Sequence, residues 1–302
     1  MPTTPRTRDY LILLLLSLVW GTSYILIKKG LTVFSPYQVA SLRLGISALA
    51  LAPLAITHFR KIRWGQVPLL IVIGLAGTGL PSFLFPLAQT KLSSSLTGML
   101  SGLTPLCTFI LAYLFFAKRD AGGRQFVGVA LGLGGALLLA YAAPAPAGQT
   151  TQLAYAAFIL LACFCYALSS NLVGAYFTGI SSLTITVVSF FLVGLPALIW
   201  AGTAGAVLED VRAAAGYEGW YALGAVAALA IVSTVLASLL FFSLVQRSGA
   251  VFASTVSYVI PVVALGWGLL DGEAFSVAQL PAVLLVLVGV FLSRRKAEPA
   301  AA

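Results

Sequence analysis

Long apolar runs, broken by short segments with charge, proline or glycine, dominate the chain. They are Leu11–Ile27, Tyr37–Thr57, Val67–Leu87, Leu96–Ala117, Phe126–Tyr141, Leu153–Val173, Leu183–Ala201, Trp220–Ser243, Ala250–Leu270 and Val277–Leu292. A helix needs about 20 mostly apolar residues to cross a bilayer core. The fifth and tenth runs are the shortest of a set that otherwise meets this length. The pattern predicts an all-α integral membrane protein of ten transmembrane helices joined by short connections, with no stretch left over for a soluble domain. The first run is longer than a signal-peptide core and lacks a clean small-residue cleavage site ahead of Lys28, so it reads as a retained helix.

The runs repeat. A shift of 156 residues places Lys91 on Arg247, Ser101 on Ser257 and Pro105 on Pro261. The same shift places Thr78 on Thr234, Ser82 on Ser238 and Phe85 on Phe241. A shift of 154 places Gln125 on Gln279 and Gly135 on Gly289. The unit is five helices long, an odd number, so its second copy enters the membrane from the opposite face. This predicts two inverted five-helix repeats, residues 1–145 and 146–302, with a substrate site between them.

Polar side chains are costly against lipid and mark helix contacts or a wet cavity. In the third run Thr78, Ser82, Phe85 and Gln89 share one helix face, and Thr234, Ser238 and Phe241 repeat it in the eighth. Ser101 shares a face of the fourth run with Thr97, Thr104 and Thr108; in the ninth, Ser257 and Tyr258 stand with Ser254 and Pro261. Trp20 and Tyr24 align with Ser17 in the first run, and Tyr166 and Ser169 cluster with Ser170 and Asn171 in the sixth. The candidate substrate cavity is therefore built from runs one, three, four, six, eight and nine, through Trp20, Tyr24, Thr78, Ser82, Phe85, Gln89, Ser101, Tyr166, Ser169, Ser238, Phe241, Ser257 and Tyr258. The competing reading has these hydroxyls bonded to backbone. Pro105 and Pro261, mid-run and equivalent, each free a carbonyl and are candidate hinges, or else static kinks. The fifth and tenth runs lack such faces and are expected outside, where Gly128 and Gly132 permit close helix contact. Arg43, the one charge inside a run, reads as a structural arginine bonded to carbonyls or snorkelling to the outer interface, or alternatively as a carboxylate-binding cation.

Composition narrows the function. AVILMFWYC make up 60% of the chain, charged residues 8%, and mean hydropathy is +1.04. Such a chain cannot cover a water-facing surface, which excludes a soluble enzyme and a nucleic-acid-binding domain. The net charge of +9 then reports loop topology. With the N-terminus cytoplasmic, that side carries Arg6, Arg8, Arg60, Lys61, Arg63, Lys118, Arg119, Arg124, Arg247, Arg294, Arg295 and Lys296, against Lys28, Lys29, Lys91 and Arg212 outside. Both termini are therefore expected in the cytoplasm; cysteines placed at Gly148 or Gly205 should be labelled from outside, and one at Gly122 should not. Cys107, Cys163 and Cys165 lie in apolar runs and form no metal-ligand spacing with His58, so neither metal nor cofactor is expected. No Asp or Glu lies inside a run, which removes the usual proton relay and leaves little from which to build an enzyme. A gradient-driven carrier fits this better.

Trp20-Gly21-Thr22-Ser23-Tyr24, followed by Lys28, Pro36 and Arg43, resembles the opening of the EamA branch of the drug/metabolite transporter superfamily. Arg247-Ser248-Gly249-Ala250, continuing through Tyr258-Val259-Ile260-Pro261 to Asp271-Gly272-Glu273, resembles its second repeat. Lys118-Arg119-Asp120 stands where the first-half counterpart of Glu273 belongs, a departure from the family pattern. The resemblance implies ten helices, cytoplasmic termini and a central cavity lined by helices one, three, four, six, eight and nine. Within the superfamily the chain is most similar to bacterial exporters of aromatic and other neutral amino acids and related metabolites, of the YddG type. That implies alternating access in a bacterial inner membrane, with a small-molecule substrate and the lipid bilayer as partners, in a monomer or weak homodimer. Uptake, or drug and metabolite efflux on the same fold, stays open, as does lipid translocation through the groove.

Overall fold

The computed structural model describes residues 6–116, 123–144, 149–203 and 206–293. Lys118, Arg119, Asp120, Gly122, Gly148 and Gly205 lie outside them. The described residues form helices, and no strand occurs among them. The long segments are α1 (Thr7–Gly30), α2 (Pro36–Phe59), α3 (Trp64–Gln89), α4 (Ser94–Phe115) and α5 (Gly123–Ala142). They continue with α6 (Gln149–Tyr176), α7 (Ser182–Thr203), α8 (Glu218–Ser248) and α9 (Ala250–Leu270), and end with α10 (Gln279–Ser293). Nine segments among the described residues are long and apolar enough to cross a membrane; the tenth, at 15 residues, is shorter. Large apolar side chains such as Leu11, Ile56, Ile199 and Leu284 stand exposed on their outward faces, a surface suited to lipid rather than water. The protein is a multi-pass membrane protein.

Local chemistry sets the helix ends. Ser35 accepts a hydrogen bond from Gln38 N while Gln38 Oε1 accepts one from Ser35 N, a capping box that starts α2 with Pro36 in its first turn. Gly249, at φ 85°, turns the chain directly from α8 into α9, a conformation that glycine adopts without strain.

Two helix pairs lie outside a central group. α2 packs along α7, and α5 along α10. A side chain at Gly289 of α10 would overlap the backbone of Gly128 and Gly132 in α5, so the two helices meet through glycine. α1, α3, α4, α6, α8 and α9 pack together inside these pairs.

Four of the central helices are irregular. α3 carries a π-helical turn at Leu75–Gly79 and α8 a longer one at Leu229–Leu236. α4 is broken after Ser101 and resumes at Thr104, with Pro105 in the first turn of the new segment. α9 passes through a 3-10 stretch, Ser254–Tyr258, before resuming at Ile260 with Pro261 in the equivalent position. A proline there lacks only an N–H that would be unpaired anyway.

Candidate functional site

A cavity of about 70 Å³ lies where these irregular segments converge. That is room for a few waters. It sits between two apolar clusters. One includes Tyr24, Ile27, Phe85, Leu96 and Leu139; the other includes Leu16, Ile73, Val173, Val245 and Val256. Trp20 packs against both.

All six central helices reach the cavity, as their polar faces suggest. α1 contributes Trp20 and Tyr24, α3 Thr78 and Phe85, and α4 Ser101 and Thr104. α6 contributes Tyr166 and Ser169, α8 Ser238 and Phe241, and α9 Ser254 and Ser257. Phe85 stacks on Tyr166 at 5.9 Å and meets Tyr24 edge-on at 5.6 Å. Its counterpart Phe241 lies 5.0 Å from the Trp20 ring. Trp20 Nε1 donates to Ser233 O at 2.8 Å.

Several hydroxyls are committed to backbone. Ser101 Oγ donates to Gly98 O, Thr104 Oγ1 to Ser101 O and Ser169 Oγ to Ile73 O, at 2.7, 2.8 and 3.1 Å. The bond from Thr104 satisfies the carbonyl four residues before Pro105. Thr78 Oγ1 is buried in the cavity wall with no partner among the described residues.

Three sequence candidates are placed elsewhere. Ser82 is fully buried in α3, its Oγ without a partner among the described residues, and Gln89 lies at the end of α3 with both amide atoms buried and unpartnered. Tyr258 turns away: its hydroxyl donates to Val290 O of α10 at 3.1 Å. The cause is the 3-10 stretch. At three residues per turn Ser254 and Ser257 share a face, and the next residue points elsewhere.

Arg43 had two readings in the sequence, and the structure places it in the cavity wall. It is buried rather than snorkelling, and among the described residues its hydrogen bond goes to a hydroxyl and not to a carbonyl. Its side chain crosses from α2 into the cavity, where the residue is only 6% exposed, and Nε donates to Thr234 Oγ1 at 2.7 Å. Thr234 Oγ1 in turn donates to Leu229 O five residues earlier, within the π-helical turn. Its signal in the sequence was a charge inside an apolar run with no acid in any run to pair with it.

Charge is otherwise held at the two ends of the bundle. At one end Glu273 caps the start of α4, accepting from Ser94 N and Ser95 N, each at 2.9 Å, and from both hydroxyls. Lys28 bridges Glu273 at 2.8 Å and Asp271 at 2.7 Å, and Lys29 bridges Asp271 at 2.5 Å. Burial pushes the Glu273 carboxyl up, but the bonds from Lys28, Ser95 and Ser94 outweigh it and hold the group at about 2. Burial likewise raises Asp271, and its two lysines prevail and lower it. At the other end Asp9 pairs with Arg247 at 3.4 Å. α1 starts ahead of its apolar run and so draws this acid into its first turn.

Comparison with known proteins agrees with this architecture. The model of the EamA-like transporter family matches residues 7–141 and 153–295. An uncharacterized transporter of Archaeoglobus fulgidus is 22% identical over 290 residues, spanning 96% of this chain and 99% of that one. The uncharacterized inner membrane transporter YedA of Escherichia coli is 24% identical over 282 residues, spanning 92% and 87%. A WAT1-related protein of Arabidopsis thaliana is 32% identical over 140 residues, which is 43% of this chain and 38% of that one. A solved crystal structure superposes with a TM-score of 0.66 at 17% identity, covering 95% of this chain and 96% of the other, a likeness of fold alone. With both matched stretches together spanning most of its length, the chain belongs to the EamA-like transporter family.

Proposed function

We propose that this membrane transporter exports neutral amino acids, aromatic ones included, and related small metabolites across a bacterial inner membrane. It works by alternating access through the central cavity, and flux follows the substrate's own gradient. The observation that carries this is the cavity itself. Aromatic and hydroxyl side chains from six helices surround a space between two apolar clusters. A small zwitterion with an apolar side chain needs both kinds of wall. Phosphorylated sugars would need several embedded cations, and among the described residues Arg43 is the one charged residue in the lining.

The halves 1–145 and 146–302 act as two inverted five-helix repeats with both termini cytoplasmic. In support, Thr78 and Thr234 both fall in π-helical turns, and Pro105 and Pro261 both follow helix breaks. Paired irregular segments at one site give two similar packings, each open to one side. Phe85 and Phe241 are the corresponding plugs, held by Tyr24 and Tyr166 on one side and by Trp20 on the other. Repacking either ring opens one path.

Counterflow of labelled amino acids into proteoliposomes tests the proposal, with and without imposed proton and sodium gradients. Accumulation that needs only unlabelled substrate inside is the expected result. Absence of flux for every neutral amino acid overturns the substrate class. Substrate-dependent proton movement, read by an internal pH dye, overturns the coupling.

A further inference from the structure

Among the described residues, Arg43 is a buried charge without a counter-charge. Its contacts are neutral: the Thr234 hydroxyl at 2.7 Å and the Tyr166 phenol. Among the described residues, every ion pair lies at an end of the bundle, and none involves Arg43. A buried ion left unpaired is costly, and buried charges are as a rule paired. The guanidinium offers five donors in a planar fork that matches a carboxylate in bidentate fashion. Nε is spent on Thr234, which fixes the plane of the fork while Thr234 is itself fixed by Leu229 O. Thr78 Oγ1, in the same wall, is a buried hydroxyl without a partner among the described residues. Among the described residues the lining contains no Asp or Glu, so none of them there answers an ammonium group.

We infer that Arg43 is the anion anchor of the cavity: the transported molecule docks a carboxylate on its guanidinium and lays its apolar part against Trp20, Phe85 and Phe241. The substrate class is then organic carboxylates, for which an α-amino group is tolerated but not required; amines lacking the acid are excluded. This deepens the transport reading and rests on it for the role of the cavity.

The test uses the full chain in proteoliposomes carrying labelled phenylalanine in counterflow, with unlabelled phenylalanine, 3-phenylpropionate and 2-phenylethylamine as competitors. The two acids should compete within a few-fold of each other, and the amine at least about tenfold more weakly, the worth of a charged hydrogen bond. Arg43→Lys should keep the preference for acids, and Arg43→Gln should lose it. The competitor series on the unaltered protein decides the matter even if Arg43→Gln does not fold. An amine that competes as well as 3-phenylpropionate overturns the anchor and leaves amino acid transport standing. So does unchanged phenylalanine flux in folded Arg43→Gln protein. Flux of labelled 3-phenylpropionate without any flux of phenylalanine overturns the amino acid reading and leaves the anchor standing. If neither acid is carried and neither raises the melting temperature of the detergent-solubilised protein, both fall.

Discussion

Replacing Glu273 with Gln should loosen one end of the bundle. Its carboxylate joins three elements: the start of α4 through Ser94 and Ser95, the end of α1 through Lys28, and the segment after α9. Its fall from an ordinary 4.5 to about 2 corresponds to about 3 kcal/mol at 1.36 kcal/mol per unit. Lys28 is partly exposed, with 36% of its side chain accessible, so solvent screening reduces the useful part to about 1–2 kcal/mol. That is roughly a 5–30-fold shift toward states in which this end is open. Labelling of Ser257→Cys, in a chain whose native cysteines are replaced, reads the shift through an impermeant thiol reagent. A depressed carboxyl stabilises the closed end above its unperturbed value, and that stability is lost as pH falls through the depressed one. Relative to Glu273→Gln labelled at the same pH, which cancels the loss of thiolate in acid, labelling of the parent should be slower at neutral pH and approach that of the variant as pH drops below 4.5 toward about 2. Equal labelling of the two proteins at neutral pH, with both folded by thermal melt, refutes the reasoning.

Gly289→Leu should drive α10 off the backbone of α5 and cost about 1–3 kcal/mol of stability, seen as a lower melting temperature in detergent. Leu137→Trp, on the exposed face of α5, should leave both melting and flux unchanged. Trp20→Ala removes a cavity wall and should change the order of preference among amino acids in counterflow. Tyr258→Ala, whose hydroxyl serves Val290 O, should lower stability by about 1 kcal/mol or more and leave that order intact. Thr234→Val unpins the Arg43 guanidinium and should weaken 3-phenylpropionate competition several-fold while phenylethylamine competition stays as it was.

The parts of the site that were legible in the sequence are those where one residue type stands out against an apolar background. A hydroxyl or indole in a run of Leu and Val has few reasons to be there, so spacing alone brought together helices α1, α3, α4, α6, α8 and α9. Proline announces its own effect, and the breaks before Pro105 and Pro261 follow from it. The departures from regular helix hid the rest. A 3.6-residue period put Tyr258 beside Ser257, but the local period there is three, and the ring swings to α10. On α3 the same period ran through the π-helical turn at Leu75–Gly79. Beyond that turn the long Phe85 ring still reaches the cavity and the short Ser82 hydroxyl does not. Neither turn has a local composition that demands it. The one in α8 is held by Thr234, whose hydroxyl bonds Leu229 O and takes the Arg43 guanidinium from another helix. Arg43 was hidden for the same reason. Its helix is peripheral and packs along α7, and only the tertiary arrangement sends its side chain inward past α8. Charge in an apolar run told where to look, and the direction of one long side chain brought it to the cavity.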